Sequence, residues 1–141
     1  MVLFGNDTVT LFNRHMDKTT EKETWIPTLL TNVNLVSEKK TTRTTRGLED
    51  GSSATLFVDA YASEKDYLIP ADYEKMSLED RKGCYTFRPD KDFFVRGNLE
   101  SEESQPEGFF EYILNHYDDV FRVTSVKPYD DVMPHVEVGG A

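Results

Sequence analysis

Val120-Phe121-Arg122-Val123-Thr124-Ser125-Val126, then Pro128-Tyr129-Asp130-Asp131, then Val132 to Val138, is the stretch that decides the fold. Successive side chains of a strand point to opposite faces, so Phe121 and Val123 share one face and Val120 and Val126 the other. Apolar and β-branched residues on both faces, interrupted by Pro/Asp turn chemistry, predict two antiparallel strands closing the chain as a hairpin. The same reading applies to the other end of the sequence. Thr8-Val9-Thr10-Leu11-Phe12-Asn13-Arg14 reads as an opening strand, a polar connection follows at 15–23, and Thr24 to Val36 returns to strand character. Pro27 lacks an N–H, which excludes it from a ladder paired on both sides.

Between these ends, Thr55 to Ala60 places Leu56 and Val58 opposite Phe57, and Cys84 to Phe87 and Phe93 to Val95 read as brief strands. Two segments change period. Tyr73, Met76 and Leu78 lie near one helical stripe in 70–82, with Ser77 and Asp80 spaced as a capping box and Gly83 as the stop. Phe109, Tyr112, Ile113 and Tyr117 predict a second short helix. Residues 37–53 (SEKKTTRTTRGLEDGSS) hold one large apolar residue, Leu48, among 17, and read as a long polar loop. The prediction is a mainly β fold: a small antiparallel β-barrel or sandwich of six to seven short strands, with one or two short helices inserted.

The 141 residues suit one domain spanning 1–141, and Leu, Ile, Val and Phe total 35, enough to build a modest core. The formal net charge of −10 argues against coating a polyanion such as nucleic acid or anionic lipid. That charge is unevenly spread. Residues 1–50 carry 7 basic and 7 acidic side chains, and 51–141 carry 9 and 19. No apolar run is long enough to cross a bilayer as a helix, and 1–5 has neither the basic nor the long apolar segment of a signal peptide. The single Cys84 leaves stability to packing or assembly rather than to an internal disulfide.

Catalytic signals are missing from the residues. His15, His116 and His135 have no neighbours at metal-ligand spacing, and no nucleophile elbow, phosphate loop or dinucleotide fingerprint occurs. Asp90-Lys91-Asp92 resembles the start of a calcium loop, but the required Gly and distal Glu fall at the wrong distances. Asp118-Asp119 and Asp130-Asp131 read as solvated turn carboxylates. We therefore expect no enzyme, cofactor or metal site. Lys39, Lys40, Arg43 and Arg46 form the one dense basic feature, read as a solvated loop or as an arm for phosphates or a neighbour's carboxylates. Adjacent aromatics of a strand face opposite sides, so Phe94 needs a second surface, another subunit or an inserted helix; Trp25 and Phe110 are further candidate subunit-interface residues.

Four stretches carry a family resemblance: Val9-Thr10-Leu11-Phe12-Asn13-Arg14 with Trp25-Ile26-Pro27-Thr28-Leu29-Leu30; the polar segment 37–53 ahead of a strand; Asp92-Phe93-Phe94-Val95-Arg96-Gly97; and Phe121 to Val126 with Pro134-His135-Val136-Glu137-Val138-Gly139-Gly140. Together they resemble the small head-to-tail connector proteins of long-tailed bacteriophages and prophages. The resemblance implies a β-barrel stopper or head-completion protein forming a homo-oligomeric ring between the portal-adaptor complex and the tail. It implies residence in the virion neck after assembly in the bacterial cytoplasm, passing contact with DNA, and no membrane. In strand order, 37–53 corresponds to the loop that projects into the channel. The chain departs from shorter members in its insertions at 61–82 and 100–117, which the resemblance implies as candidate surfaces for an adaptor or for a tail terminator or tail tube protein. Two alternatives stay open: a tail terminator or minor capsid protein of the same particle, and a monomeric acidic binding module or inhibitor.

Overall fold

The computed structural model describes residues 6–17, 19–44, 47–59, 62–99, 108–129 and 135–141, with the backbone alone for 38–44 and 47–52. Its elements are β1 (Asp7–Met16), β2 (Glu23–Thr44), β3 (Gly47–Asp59), β4 (Asp66–Tyr67), α1 (Pro70–Glu74), α2 (Leu78–Arg81), β5 (Cys84–Tyr85), β6 (Phe93–Arg96), α3 (Phe109–His116), β7 (Val120–Tyr129) and β8 (His135–Gly140). Six strands close an antiparallel barrel in the order β1-β2-β3-β8-β7-β6, and β4 with β5 makes a separate parallel pair. Closure chooses the barrel over the sandwich.

One strand reaches two neighbours because its backbone bends. β2 pairs with β1 up to Asp7 opposite Val33, and with β3 from Asn34 opposite Phe57 onward. The β1–β2 register gains a residue on β2 between Val33 and Leu30, where Asn32 adopts φ 54°. An extra residue of this kind raises local twist and turns the strand. Pro27 fits because β2 has not yet met β3 there. On that open side the Lys65 ammonium donates to the Pro27 carbonyl at 2.8 Å, and the Thr31 N–H donates to Ala62 O at 2.8 Å.

Two apolar layers hold the fold. Val9, Leu11, Leu30, Leu35, Leu56, Val58, Phe94, Phe121, Val123 and Val138 fill the barrel, joined by Tyr85 and Phe87 from the β3–β6 connection. That connection leaves the C-terminal end of β3 and enters the N-terminal end of β6, so it closes one end of the barrel. Outside the wall, Phe12, Trp25, Phe93, Val95 and Leu99 pack under Phe109 and Ile113 of α3. Phe12 stacks on Phe93 at 5.0 Å, and Trp25 meets Phe93 edge-on at 4.9 Å. β1 is therefore covered on both faces, which explains its buried run from Val9 to Asn13.

Several expectations are corrected. Within 37–53, residues 37–44 and 47–53 are strand, not loop. They form the outer half of the β2–β3 hairpin, in register from Ser37 opposite Ala54 to Thr44 opposite Gly47. A Thr-rich polar stretch suits a strand with no core to face, and hydrophobic periodicity cannot detect it. Cys84-Tyr85 is a strand, but it pairs with β4 and stays outside the barrel. Trp25 (6% exposed) and Phe94 (0%) leave no surface for another subunit: α3 covers the Trp25 layer and the barrel encloses Phe94.

Candidate functional site

The feature least like an ordinary small barrel is the hairpin beyond the barrel wall. From Glu38 opposite Ser53 to Thr44 opposite Gly47, β2 and β3 pair with each other and with no other described strand. Seven residues per strand at ~3.3 Å each give a ribbon about 23 Å long. A closed barrel has no free strand edges, whereas among the described residues nothing pairs with either outer edge of this ribbon. Its register sets Lys39 opposite Ser52, Lys40 opposite Gly51 and Arg43 opposite Leu48, so no like charges lie directly across the ladder. Arg46 lies outside the described residues, as do the side chains of Lys39, Lys40 and Arg43. Residues 38–53 hold four basic and three acidic residues, so the acidic excess belongs to the rest of the chain.

The ribbon leaves the barrel over a charged foot. Arg96, at the end of β6, pairs with Asp7 through Nη1–Oδ1 at 2.9 Å and with Asp119 through Nε–Oδ2 at 3.1 Å. The other Asp7 oxygen accepts the Leu35 N–H at 2.9 Å, and Arg96 Nη2 reaches the Leu35 carbonyl at 3.5 Å. Leu35 lies beyond the Asp7–Val33 pair at the start of β1, and there the Asp7 and Arg96 side chains engage its N–H and carbonyl. The Asp119 backbone stands at φ 54°, and its carbonyl accepts the Arg96 N–H at 3.2 Å. Three segments thus converge on the root of the ribbon. In sequence Asp119 and Asp7 lie 23 and 89 residues from Arg96, with no local pattern that reveals them.

A second feature is a cleft of about 800 Å³ between the β1–β2 turn, the 88–92 turn and the start of α3. Trp25, Phe93 and Phe110 line it, with Arg14, Lys91 and Arg122 among its charged residues. Phe110 is half-buried and carries the Arg122 guanidinium 4.3 Å from its ring centre, so of the three candidate aromatics it alone keeps an accessible face. The cleft rests on a buried ion pair. Arg88 Nε and Nη2 bond the Asp92 carboxylate at 3.0 and 2.9 Å, and the same carboxylate accepts the Arg88 and Arg14 N–H groups, each at 2.9 Å. Burial lowers the Arg88 pKa, but the Asp92 hydrogen bonds and charge outweigh it and hold the value above its ordinary range.

The three histidines lie apart. His15 meets Arg81, His116 lies against Tyr112, and His135 stacks on Tyr129 at 4.8 Å. Among the described residues no three His, Cys, Asp or Glu side chains are grouped to hold a metal ion. Cys84 is a buried free thiol. No described helix is long and apolar enough to cross a membrane.

Residues 4–141 match a family described as a family of unknown function, DUF6751. No curated protein and no solved structure matches the chain.

Proposed function

The chain belongs to the DUF6751 family, and for it we propose a structural role: a ring-forming stopper or head-completion component of a phage neck, between a portal-adaptor complex and a tail. The observation that carries this reading is the two-stranded ribbon, braced at its foot, at the position where the resemblance puts a channel loop. Phe94, Phe121 and Leu11 fill the barrel, so it is no conduit itself; in this reading DNA passes along the axis of a ring of barrels. Open ribbon edges supply backbone donors and acceptors for a neighbouring subunit, as strand addition does elsewhere. The acidic body repels phosphate, which suits a wall that DNA passes without sticking.

Deleting the gene from its phage tests the reading. We expect particles that lack tails or lose packaged DNA, and normal tailed, DNA-filled virions would overturn it. In a second arm, residues 38–53 are replaced by a two-residue Asn-Gly turn. The barrel should still unfold cooperatively while light scattering shows the ring lost. A wild-type chain that stays monomeric in virions and in solution would favour the acidic binding module instead.

A further inference from the structure

We infer that His15 and Arg81 form an acid-released latch holding the α2 segment against the closed end of the barrel. α2 has few other holds: Glu79, Asp80 and Lys82 are exposed, Leu78 is half-buried, and its one fully buried side chain is Arg81, 9% exposed. That arginine is held by neutral groups. Its Nη1 lies 3.1 Å from His15 Nδ1, its Nη2 donates to Glu74 O at 3.1 Å, and its guanidinium sits 4.8 Å from the Tyr73 ring centre. Among the described residues no carboxylate forms an ion pair with Arg81, and its buried Nε has no acceptor.

Arginine has donors and no acceptor, so the contact requires a lone pair on His15 Nδ1 and fixes the ring proton on Nε2. Protonation of Nδ1 removes that lone pair and sets an imidazolium against a guanidinium. The charged groups that bear on the ring are Arg81 from α2, Arg88 from the turn before β6, and Asp17 from the β1–β2 turn. Among the described residues, two of these are cations, and the one anion, Asp17, is exposed. Burial first and Arg81 second hold the imidazole below its ordinary 6.5, Asp17 pulls it upward, and Arg88 adds to Arg81. The sign follows: a group with a lowered folded pKa contributes stability above its free value, lost as pH falls through its folded one. The latch is complete above about pH 6.5 and weakens in acid. If the latched ring never protonates, linkage limits the gain in the open state at pH 5 to about 30-fold.

Amide hydrogen exchange across residues 78–84 of the full chain, normalised for intrinsic rate, reads the latch directly. Protection should fall between pH 7.5 and 5 by up to that factor. His15→Asn keeps an acceptor near the Nδ1 position without a titrating group, so it should hold protection level across the range. Unchanged wild-type protection, or an equal fall in His15→Asn, would overturn the latch. Nitrogen NMR of the wild-type ring supplies a measurement that needs no variant. An Nε2–H tautomer titrating below 6.5 supports the latch, and an Nδ1–H tautomer or a midpoint at or above 6.5 refutes it.

Discussion

Replacing Asp92 by alanine strikes the most heavily loaded carboxylate among the described residues. Asp92 is 1% exposed and Arg88 6%, so the change leaves a buried guanidinium with only the exposed Glu74 carboxylate, 3.8 Å away, as counter-charge. Breaking a buried pair from one side costs about 3–5 kcal/mol. The Arg14 and Arg88 N–H groups also lose their acceptor, each worth about 1 kcal/mol or more when left unsatisfied. Together these approach the whole stability of a small domain, about 5–15 kcal/mol. Arg88→Met removes the cation but leaves both N–H bonds to the carboxylate, so it should cost roughly 2 kcal/mol less. The Asp92→Ala/Arg88→Met double variant buries no charge and should be more stable than Asp92→Ala alone. Urea unfolding followed by Trp25 fluorescence measures all three, since Trp25 is the only tryptophan and lies under α3 beside Phe93. An Asp92→Ala cost below about 1 kcal/mol would refute the argument, as would a double variant weaker than the single.

Gly140→Ala places a Cβ 2.8 Å from Phe94 Cζ and 2.9 Å from Phe121 Cβ inside the barrel, and overpacking should cost about 1–3 kcal/mol by urea titration. At Gly139 the added atom meets the Ser125 hydroxyl, which can turn away, so Gly139→Ala should cost less. Arg96→Met empties the foot of the ribbon. Amide exchange at 34–37 should rise several-fold while exchange at the barrel core stays unchanged, and an equal rise everywhere would point to global destabilisation instead. Phe109→Ala should cost about 3–5 kcal/mol and shift Trp25 emission to longer wavelength as α3 loosens. Thermal stability should decline from pH 7 to 5 in wild type more than in His15→Asn, because the folded state resists protonation of His15 and the unfolded chain does not.

Elements whose apolar residues keep a regular period could be read from sequence. The opening strand, the turn at 15–23, the helical stretch of 70–82 and the hairpin ending at Gly140 lie close to where the pattern predicts them. The 70–82 stretch divides into α1 and α2 at the Ser77 cap, whose Oγ accepts the Asp80 N–H at 3.2 Å, so three helices stand where the pattern predicts one or two. The ribbon was not legible as strand, because residues without a core to face show no hydrophobic period. Its foot was hidden for another reason: Asp7, Arg96 and Asp119 meet only when three separate strand ends are brought together. Phe93-Phe94 marks the limit most clearly. The two-residue period put the rings on opposite faces, yet it could not say that both faces would be buried, one inside the barrel and one under α3.

By itself, then, the amino-acid sequence determined a single acidic β-rich chain, the location of most strands, and the concentration of negative charge after residue 50. Those properties are local or additive: side-chain period follows from backbone geometry, and charge from composition. Tertiary structure alone decided barrel over sandwich, ribbon over loop, core over interface for Trp25 and Phe94, and the partners of Arg96, Asp92 and His15. Each of these depends on which distant segments come within a few ångströms of one another. Strand closure and burial settle that together, across the whole chain at once, and no short window of residues contains it.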